Sequence, residues 1–393
     1  MPYGVRAAIC NRRNQNQPMQ YFQFLTEEEK ASLFFRSPKA FSRASSREEL
    51  RRALGPLLYM PSTGTRIAET ILSGKIKGLV SAAICLEDSV GDVDRAFCIH
   101  NVVEQVDQIA AALKDGTISQ NDLPLLFIRI RDYAMLEEMQ DFLIRRSDVV
   151  TGVILPKVTV ANLREYLPRI EEINWRSEHT VYALPILESE EIITSTHRMR
   201  LLNTLRERID PYYPYVLNIR IGATDFSGLF GIRRQPETPV YSIAAVSGCI
   251  GDIVRTFGLR DRYTISAPVW EYFGDPGQTP LPKEIQGLLQ ECSLDLQNGL
   301  MGKAAIHPTQ LVPVQALHAV PYEAFQDASG ILAENSANKG VLSSEAGNKM
   351  NELKPHERWA VKTLARAHIY GVYRKDKTYA DLLQLAYHGE MNV

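Results

Sequence analysis

The sequence predicts an α/β fold in which eight parallel strands and their covering helices close into a (β/α)8 barrel, with a short N-terminal and a helical C-terminal extension. Three observations predict it. From Gly55 an apolar, strand-length run alternates with a helical stretch about every 25 to 40 residues, the spacing of a strand with its crossover helix. The apolar runs are nearly continuous, as in strands covered on both faces. Eight such units suit a closed barrel of about 250 residues better than an open sheet. A chain of 393 residues then leaves room for additions at both ends.

Residues 1–20, which include Asn11-Arg-Arg-Asn-Gln-Asn-Gln, are polar and aperiodic and read as a loose arm. Thr26 and Glu29 have capping-box spacing, and Ala31, Leu33, Phe34 and Phe35 follow with an apolar face. A short helix is therefore expected there, on the outside of the main domain, within an N-terminal extension of 1–54. The barrel spans 55–320. Its strands are expected at Leu57–Met60, Leu79–Leu86, Leu125–Ile130, Gly152–Leu155, Val181–Leu187, Val216–Ile221, Tyr263–Ser266 and Ala304–Ile306. Helices are expected at Val102–Leu113, Met135–Arg145, Asn162–Ile170, Ile192–Ile209, Ala244–Phe257 and Lys283–Gln297. A C-terminal extension of 321–393 carries helical stretches at Tyr322–Ala333, His356–Ile369 and Tyr379–Tyr387. A Gly-, Ser- and Asn-rich link over 334–348 has loop composition.

Composition narrows the function classes. A formal net charge of −2 is wrong for a nucleic-acid binder, which needs a basic face. No run approaches the roughly 20 apolar residues of a membrane helix. Cys10, Cys85, Cys98, Cys249 and Cys292 are dispersed, without a Cys-x-x-Cys, as expected of free thiols in a reducing compartment. No apolar signal segment follows the early basic residues. A cytoplasmic enzyme is the expectation.

In a barrel of this kind the chemistry gathers at the C-terminal ends of the strands. There the chain places Pro61-Ser-Thr-Gly-Thr-Arg66, Glu87-Asp88, Arg129 and Arg131, Pro156-Lys157, Glu188, Asp225 and His307. Glu188 and Asp225 follow consecutive strands. Two carboxylates crowded together repel, and a divalent cation removes the conflict; Mg2+ commonly takes one or two carboxylates and completes its shell with water and substrate oxygens. Taken singly, Glu188 instead caps the helix after it, and Asp225 pairs with an arginine. Arg129 stands in an apolar strand and either points into the mouth, to bind a carboxylate or an enolate oxygen, or forms a buried pair. Of Glu87 and Asp88, at most one faces the substrate directly, and the other orients Arg129 or accepts from metal-bound waters. Lys157 either anchors a substrate carboxylate or pairs with an acid. His307, before Pro308, is as readily structural as catalytic. Ser62–Gly64 has the look of a small anion-binding loop.

These residues sit in segments that resemble one family in order. They are Tyr59-Met-Pro-Ser with Arg66, Ile84-Cys-Leu-Glu-Asp-Ser-Val, Phe127-Ile-Arg, Leu155-Pro-Lys-Val, Leu187-Glu-Ser, Ile221-Gly-Ala-Thr-Asp-Phe-Ser-Gly-Leu-Phe-Gly and Gly299-Leu-Met-Gly-Lys-Ala-Ala-Ile-His-Pro-Thr-Gln. Together they cover Gly55 to Gln310 and resemble the HpcH/HpaI aldolase and citrate lyase β-subunit superfamily, which includes malyl- and citramalyl-coenzyme A lyases. The pattern is closer to a divergent bacterial branch found with tellurium-resistance genes than to citrate lyase itself.

The resemblance implies a barrel holding Mg2+, or Mn2+ in its place, on Glu188 and Asp225, with Arg129 at the reacting oxygen. It implies that Arg66 and Lys303 lie near the acidic or coenzyme A end of the substrate. The substrate would be a small 2-oxo or hydroxy acid or its coenzyme A thioester. Trimers or hexamers are implied, with C-terminal helices reaching a neighbour's site. The chain departs from the pattern in Ser189 after the glutamate, in insertions at Pro211-Tyr-Tyr-Pro and Trp270–Thr279, and in the C-terminal proton-transfer acid. Glu352 occupies that last place by position alone. Two other readings stand beside the lyase: a class II pyruvate-type aldolase that uses no coenzyme A, and a catalytically silent barrel kept as a scaffold.

Overall fold

The computed structural model describes residues 18–88, 94–334, 340–345 and 347–388. Eight parallel strands form the barrel: β1 Pro56–Pro61, β2 Ser81–Cys85, β3 Leu125–Arg129, β4 Val150–Leu155, β5 Tyr182–Leu187, β6 Ile219–Ile221, β7 Ile265–Ser266 and β8 Lys303–Ala305. They pair in sequence from β1 to β7, and β8 pairs with β1. An isolated bridge between Ala267 and Lys303 joins β7 to β8 and closes the ring. Gly302, at φ +80°, makes that closure possible: a Cβ there would meet the Gly55 carbonyl oxygen at 2.6 Å.

Successive residues of a strand face opposite ways, and the two faces bury different cores. Leu126, Ile128, Val153, Leu155, Ala183, Leu187 and Ala305 pack outward against the helix ring. Leu57, Ala83, Leu125, Phe127, Ile154, Leu184 and Ile186 fill the lumen. Each expected strand is present. The sixth is shorter than expected, with Val216 retained as a bridge to Ala183. The expected helix Met135–Arg145 is broken at Met139 into Tyr133–Glu138 and Gln140–Arg145, and Ile192–Ile209 is broken into Glu190–Thr194 and Arg198–Ile209. The Pro211 insertion is a 3-10 turn, Asp210–Tyr215, since two prolines deny it a regular α-helical ladder.

The N-terminal extension caps the strands' N-terminal ends. Thr26 and Glu29 form the capping box of helix Glu27–Leu33, and Phe34–Arg36 leaves the helix to pair with Val372–Tyr373. Residues 1–17 lie outside the described part. The loose-arm expectation fails at its far end, where Met19 is fully buried and its N–H donates to the Asn121 carbonyl. An apolar Met followed by Tyr21 and Phe22 has surface worth burying, which outweighs the polar character of the residues before it. Arg47 donates to the Val216 carbonyl, and Arg51 to Thr264 and Asp261, which ties helix Arg47–Ala53 across the bottom of the barrel.

The C-terminal helices dock on this cap. Tyr370 stacks on Tyr21 with ring centroids 4.2 Å apart and donates to the Arg52 carbonyl. Within the link, residues 335–339 and 346 are not described. Val341–Ser343 is not loop but strand, paired antiparallel with Met350–Glu352. No described helix is long and apolar enough to cross a membrane.

Candidate active site

Residues from seven of the eight strand ends meet around a cavity of about 510 Å³. Asp88, Arg129, Glu188 and Asp225 line it, together with Tyr59, Cys85, Ile186, Arg220, Ile221, Gly222, Thr224, Val269, Ala304 and Ile306. The alternation decides which. Arg129 follows Leu125 and Phe127 on the inward face of β3, and Glu188 follows Leu184 and Ile186 inward from β5.

Arg129 is the hub. Its Nη2 lies 2.6 Å from Glu87 Oε2 and 3.1 Å from Glu188 Oε1, and its Nη1 lies 2.9 Å from Asp88 Oδ2. Both readings of this arginine therefore hold together: it points into the mouth and forms buried pairs there. Lys157 Nζ lies 3.0 Å from Glu87 Oε1, so the lysine pairs with an acid. The Lys157 backbone carries a positive φ of +46°, uncommon for a residue with a side chain. That conformation accompanies an N–H aimed at Glu188 Oε1, at 3.0 Å. A strained backbone held in place at a cluster of charges is what functional sites tend to store.

Glu188 does not cap the helix after it: Oε1 accepts from Arg129 and from the Lys157 N–H. Among the described residues nothing donates to Oε2. That oxygen lies where a Cβ on residue 222 would come within 2.3 Å, so Gly222 is required for the carboxylate to sit there. Burial pushes the Glu188 carboxyl up to about 7, with Asp225 adding to the rise and Arg129 opposing it. Asp225, in the first turn of helix Ala223–Leu229, has its proton affinity raised by burial and by Asp88. Among the described residues no Lys or Arg lies within ion-pair distance of it. Glu87 is raised by burial against Arg129, whereas Asp88 is lowered by the hydrogen bond with Glu87 and by Arg129 and Lys157, against its burial.

A buried and a half-buried carboxyl that hold protons too tightly mark a place where negative charge is in excess. A divalent cation fits that requirement. Among the described residues no group of three or more His, Cys, Asp or Glu is arranged around a metal. Glu188 and Asp225 would thus supply two ligands and leave the rest of the shell open, as Mg2+ sites usually do.

Four expected residues lie elsewhere. Arg66 is exposed and pairs with Glu69 at 2.8 Å. The loop before it spends its Ser62 and Gly64 carbonyls on Asn101. Lys303 is 1% exposed, and its amine lies 2.9 Å from Glu291 and 2.8 Å from Asp295 on helix Lys283–Gln297. Strand alternation explains the difference from the expectation: Ala304 faces the lumen, so Lys303 faces the helices. His307 stacks on Phe273 at 4.2 Å, and its ring bonds Thr309 at the start of a 3-10 turn, which is the structural reading. Glu352 is exposed on its hairpin, which packs on helices Tyr322–Glu334 and Leu353–Tyr370 and not on the cavity. In the other direction, sequence reasoning passed over Arg220 and Gly222. An arginine inside the apolar run Leu217–Ile221 carried the same signal as Arg129.

Residues 48–372 match the C-C bond lyases of the TIM-barrel fold. The chain belongs to this family. The C-C bond lyase assignment agrees with the family expected from the ordered segments above. Solved structures agree on the fold. The CitE protein of Mycobacterium tuberculosis, in complex with magnesium, acetoacetate and coenzyme A, gives a TM-score of 0.50 at 17% identity, over 80% of this chain and 99% of that one. The malate synthase of Haloferax volcanii, as its lead(II) complex, gives 0.50 at 12% identity, over 67% of this chain and 72% of that one. No curated protein matches the chain.

Proposed function

We propose that this C-C bond lyase acts on a small 2-oxo or hydroxy acid, or its coenzyme A thioester, with Mg2+ held by Glu188 and Asp225. The carrying observation is that these two carboxyls converge on one cavity with raised proton affinity, beside an arginine already neutralised by three acids. The M. tuberculosis protein, solved with magnesium, acetoacetate and coenzyme A, supports the choice of cation and substrate type. The bound cation would act as a Lewis acid for the oxygens of the substrate. In the cleavage direction a hydroxyl proton passes to a base and the hydroxyl carbon becomes a carbonyl. The electron pair of the breaking C–C bond leaves as an enolate.

The chain's own groups prepare this. Glu87 and Asp88 fix the guanidinium of Arg129, so its remaining N–H directions are set before substrate arrives, and the enolate charge meets an oriented cation. Lys157 holds Glu87 from the other side and its backbone N–H fixes Glu188. Ile186, Ile221, Val269 and Ile306 make the walls apolar, which strengthens these interactions. For the proton, Asp88 is the cavity carboxylate left once Glu188 and Asp225 bind the cation, but its low proton affinity makes it a weak base. Glu352 is assigned the role of base from a second copy, in a homo-oligomer of three or six chains. We place the enzyme in the cytoplasm, in line with the buried cysteines Cys85, Cys98, Cys249 and Cys292, which form no disulfide.

Calorimetry with Mg2+, comparing the wild type with Asp225→Ala, tests the reading. Binding in the wild type that is lost in the variant and strengthened by oxaloacetate, pyruvate or acetyl-coenzyme A supports it and names the substrate type. No Mg2+ binding under any of these conditions sinks it.

A further inference from the structure

Arg220 is a buried cation that no carboxylate among the described residues neutralises. It stands on β6 with its side chain turned into the lumen and 3% exposed, and it lines the same cavity as Arg129. Its Nη1 is buried without a hydrogen-bond partner among the described residues. Among the described residues no carboxylate lies within ion-pair distance, and its recorded contact is the face of Tyr59, 5.9 Å from the ring centroid. Arg129 approaches the same ring at 6.0 Å, but three acids already hold it. Next to Arg220 in register on β7 is Ser266, whose hydroxyl is also buried and unpartnered. A buried charge left without a partner is costly, and a buried polar atom without one calls for an explanation. Here two such groups adjoin on neighbouring strands and one faces a cavity.

We propose that Arg220, assisted by the Ser266 hydroxyl, is an anion-binding subsite that receives a substrate carboxylate remote from the bond that breaks, so that the preferred substrate is a diacid. A planar guanidinium with free N–H groups matches a carboxylate in a two-pronged pairing. Phosphate shares that chemistry, but a doubly charged phosphate also meets Asp88, Glu188 and Asp225 across the cavity. A volume of about 510 Å³ suits a small acid with room for water. The location of the reacting end rests on the lyase reading; the subsite itself rests on Arg220.

The experiment is calorimetry on the full chain with malate and lactate, which differ by one remote carboxylate, and with inorganic phosphate. The wild type is expected to bind malate about ten- to hundred-fold more tightly than lactate, the range for a charge-assisted hydrogen bond. Arg220→Gln is expected to lower malate to the level of lactate and leave lactate unchanged, with Arg220→Lys restoring part of the preference. Because the charge is unpartnered, Arg220→Gln should melt no lower than the wild type. Equal binding of malate and lactate by the wild type overturns the proposal without reference to any variant. So does equal weakening of both ligands in Arg220→Gln, which would mean a structural role, and phosphate that outcompetes malate overturns the carboxylate assignment. Repeating the series without Mg2+ separates the two readings. A malate preference that survives where no Mg2+ binds sinks the metal assignment alone; Mg2+ binding with no malate preference sinks the subsite alone.

Discussion

Two ionic clusters lie on either side of the same barrel wall, and they are built to different standards. Outside, between β8 and helix Lys283–Gln297, every charge is answered. Lys303 meets Glu291 and Asp295; Arg234 meets Glu291 and Glu271; Tyr241 donates to Asp295 at 2.7 Å and the Val240 N–H to Glu291 at 2.7 Å. Inside the mouth, Arg129 Nε and Arg220 Nη1 are buried without partners among the described residues, none of those residues donates to Glu188 Oε2, and the Lys157 backbone is strained. The outer cluster is closed by the packing of helix Lys283–Gln297, and its Glu291 and Asp295 are buried. The inner one is incomplete in a way that a cation and an anionic substrate would complete. Buried charges alone therefore do not mark a site; unanswered ones beside a cavity do.

The sharpest way to break this comparison is Lys303→Met. If Lys303 serves the fold, its loss leaves Glu291 to Arg234 and Asp295 to the Tyr241 hydroxyl, without a cation, and unfolding in urea should show a cost of about 3–5 kcal/mol, as for other broken buried pairs. Ligand affinity at temperatures where the variant is folded should be unchanged. A stable variant with weakened substrate binding would return Lys303 to the substrate.

Acid should separate the regions next, because their titrations run in opposite directions. Glu188 is raised from 4.5 to about 7, so its contribution to stability is fully present below 4.5 and is lost as pH rises to 7. His318 lies against the outer cluster. It accepts from the Gly302 N–H at 3.0 Å and bonds the Val314 carbonyl, and burial lowers it from 6.5 to about 4. Its contribution is present above 6.5 and is lost as pH falls to 4. Each amounts to at most about 3 kcal/mol, at about 1.4 kcal/mol per pH unit, and the two largely offset. Urea midpoints in Mg2+-free buffer from pH 8 to 5 should therefore fall more steeply for Glu188→Gln than for the wild type, and less steeply for His318→Gln. The same slope in all three would refute the contrast.

The smallest expected effect is Arg66→Ala. Its partner Glu69 is exposed with it, and such pairs contribute little. Thermal melting and Mg2+ binding should not change. A loss of substrate affinity would show that Arg66 leaves Glu69 to reach the ligand.

Much of the mouth was legible because a barrel converts strand position into spatial position. Once Leu125–Arg129 and Tyr182–Leu187 are recognised as strands, Arg129 and Glu188 must meet at one end. Lys303 was placed by the resemblance of its segment and not by strand position, and it points outward to Glu291 and Asp295. The segment around it reads as one motif, and no local pattern reveals which of Lys303 and Ala304 faces inward. Arg66 was misplaced for another reason: a loop residue has no strand to direct it. Arg220 went unread because its strand, Ile219–Ile221, is short and was noted for Asp225 beyond it.

By itself the sequence determined the barrel, its eight strands, the capped first helix and the carboxylates at the strand ends, because these follow from local periodicity and chain order. Which charges are answered and which are left open was decided by tertiary structure alone. Burial, helix packing over β8 and the approach of Glu188 to Gly222 join residues far apart in the chain, and a partner across the barrel leaves no trace in the pattern of either strand.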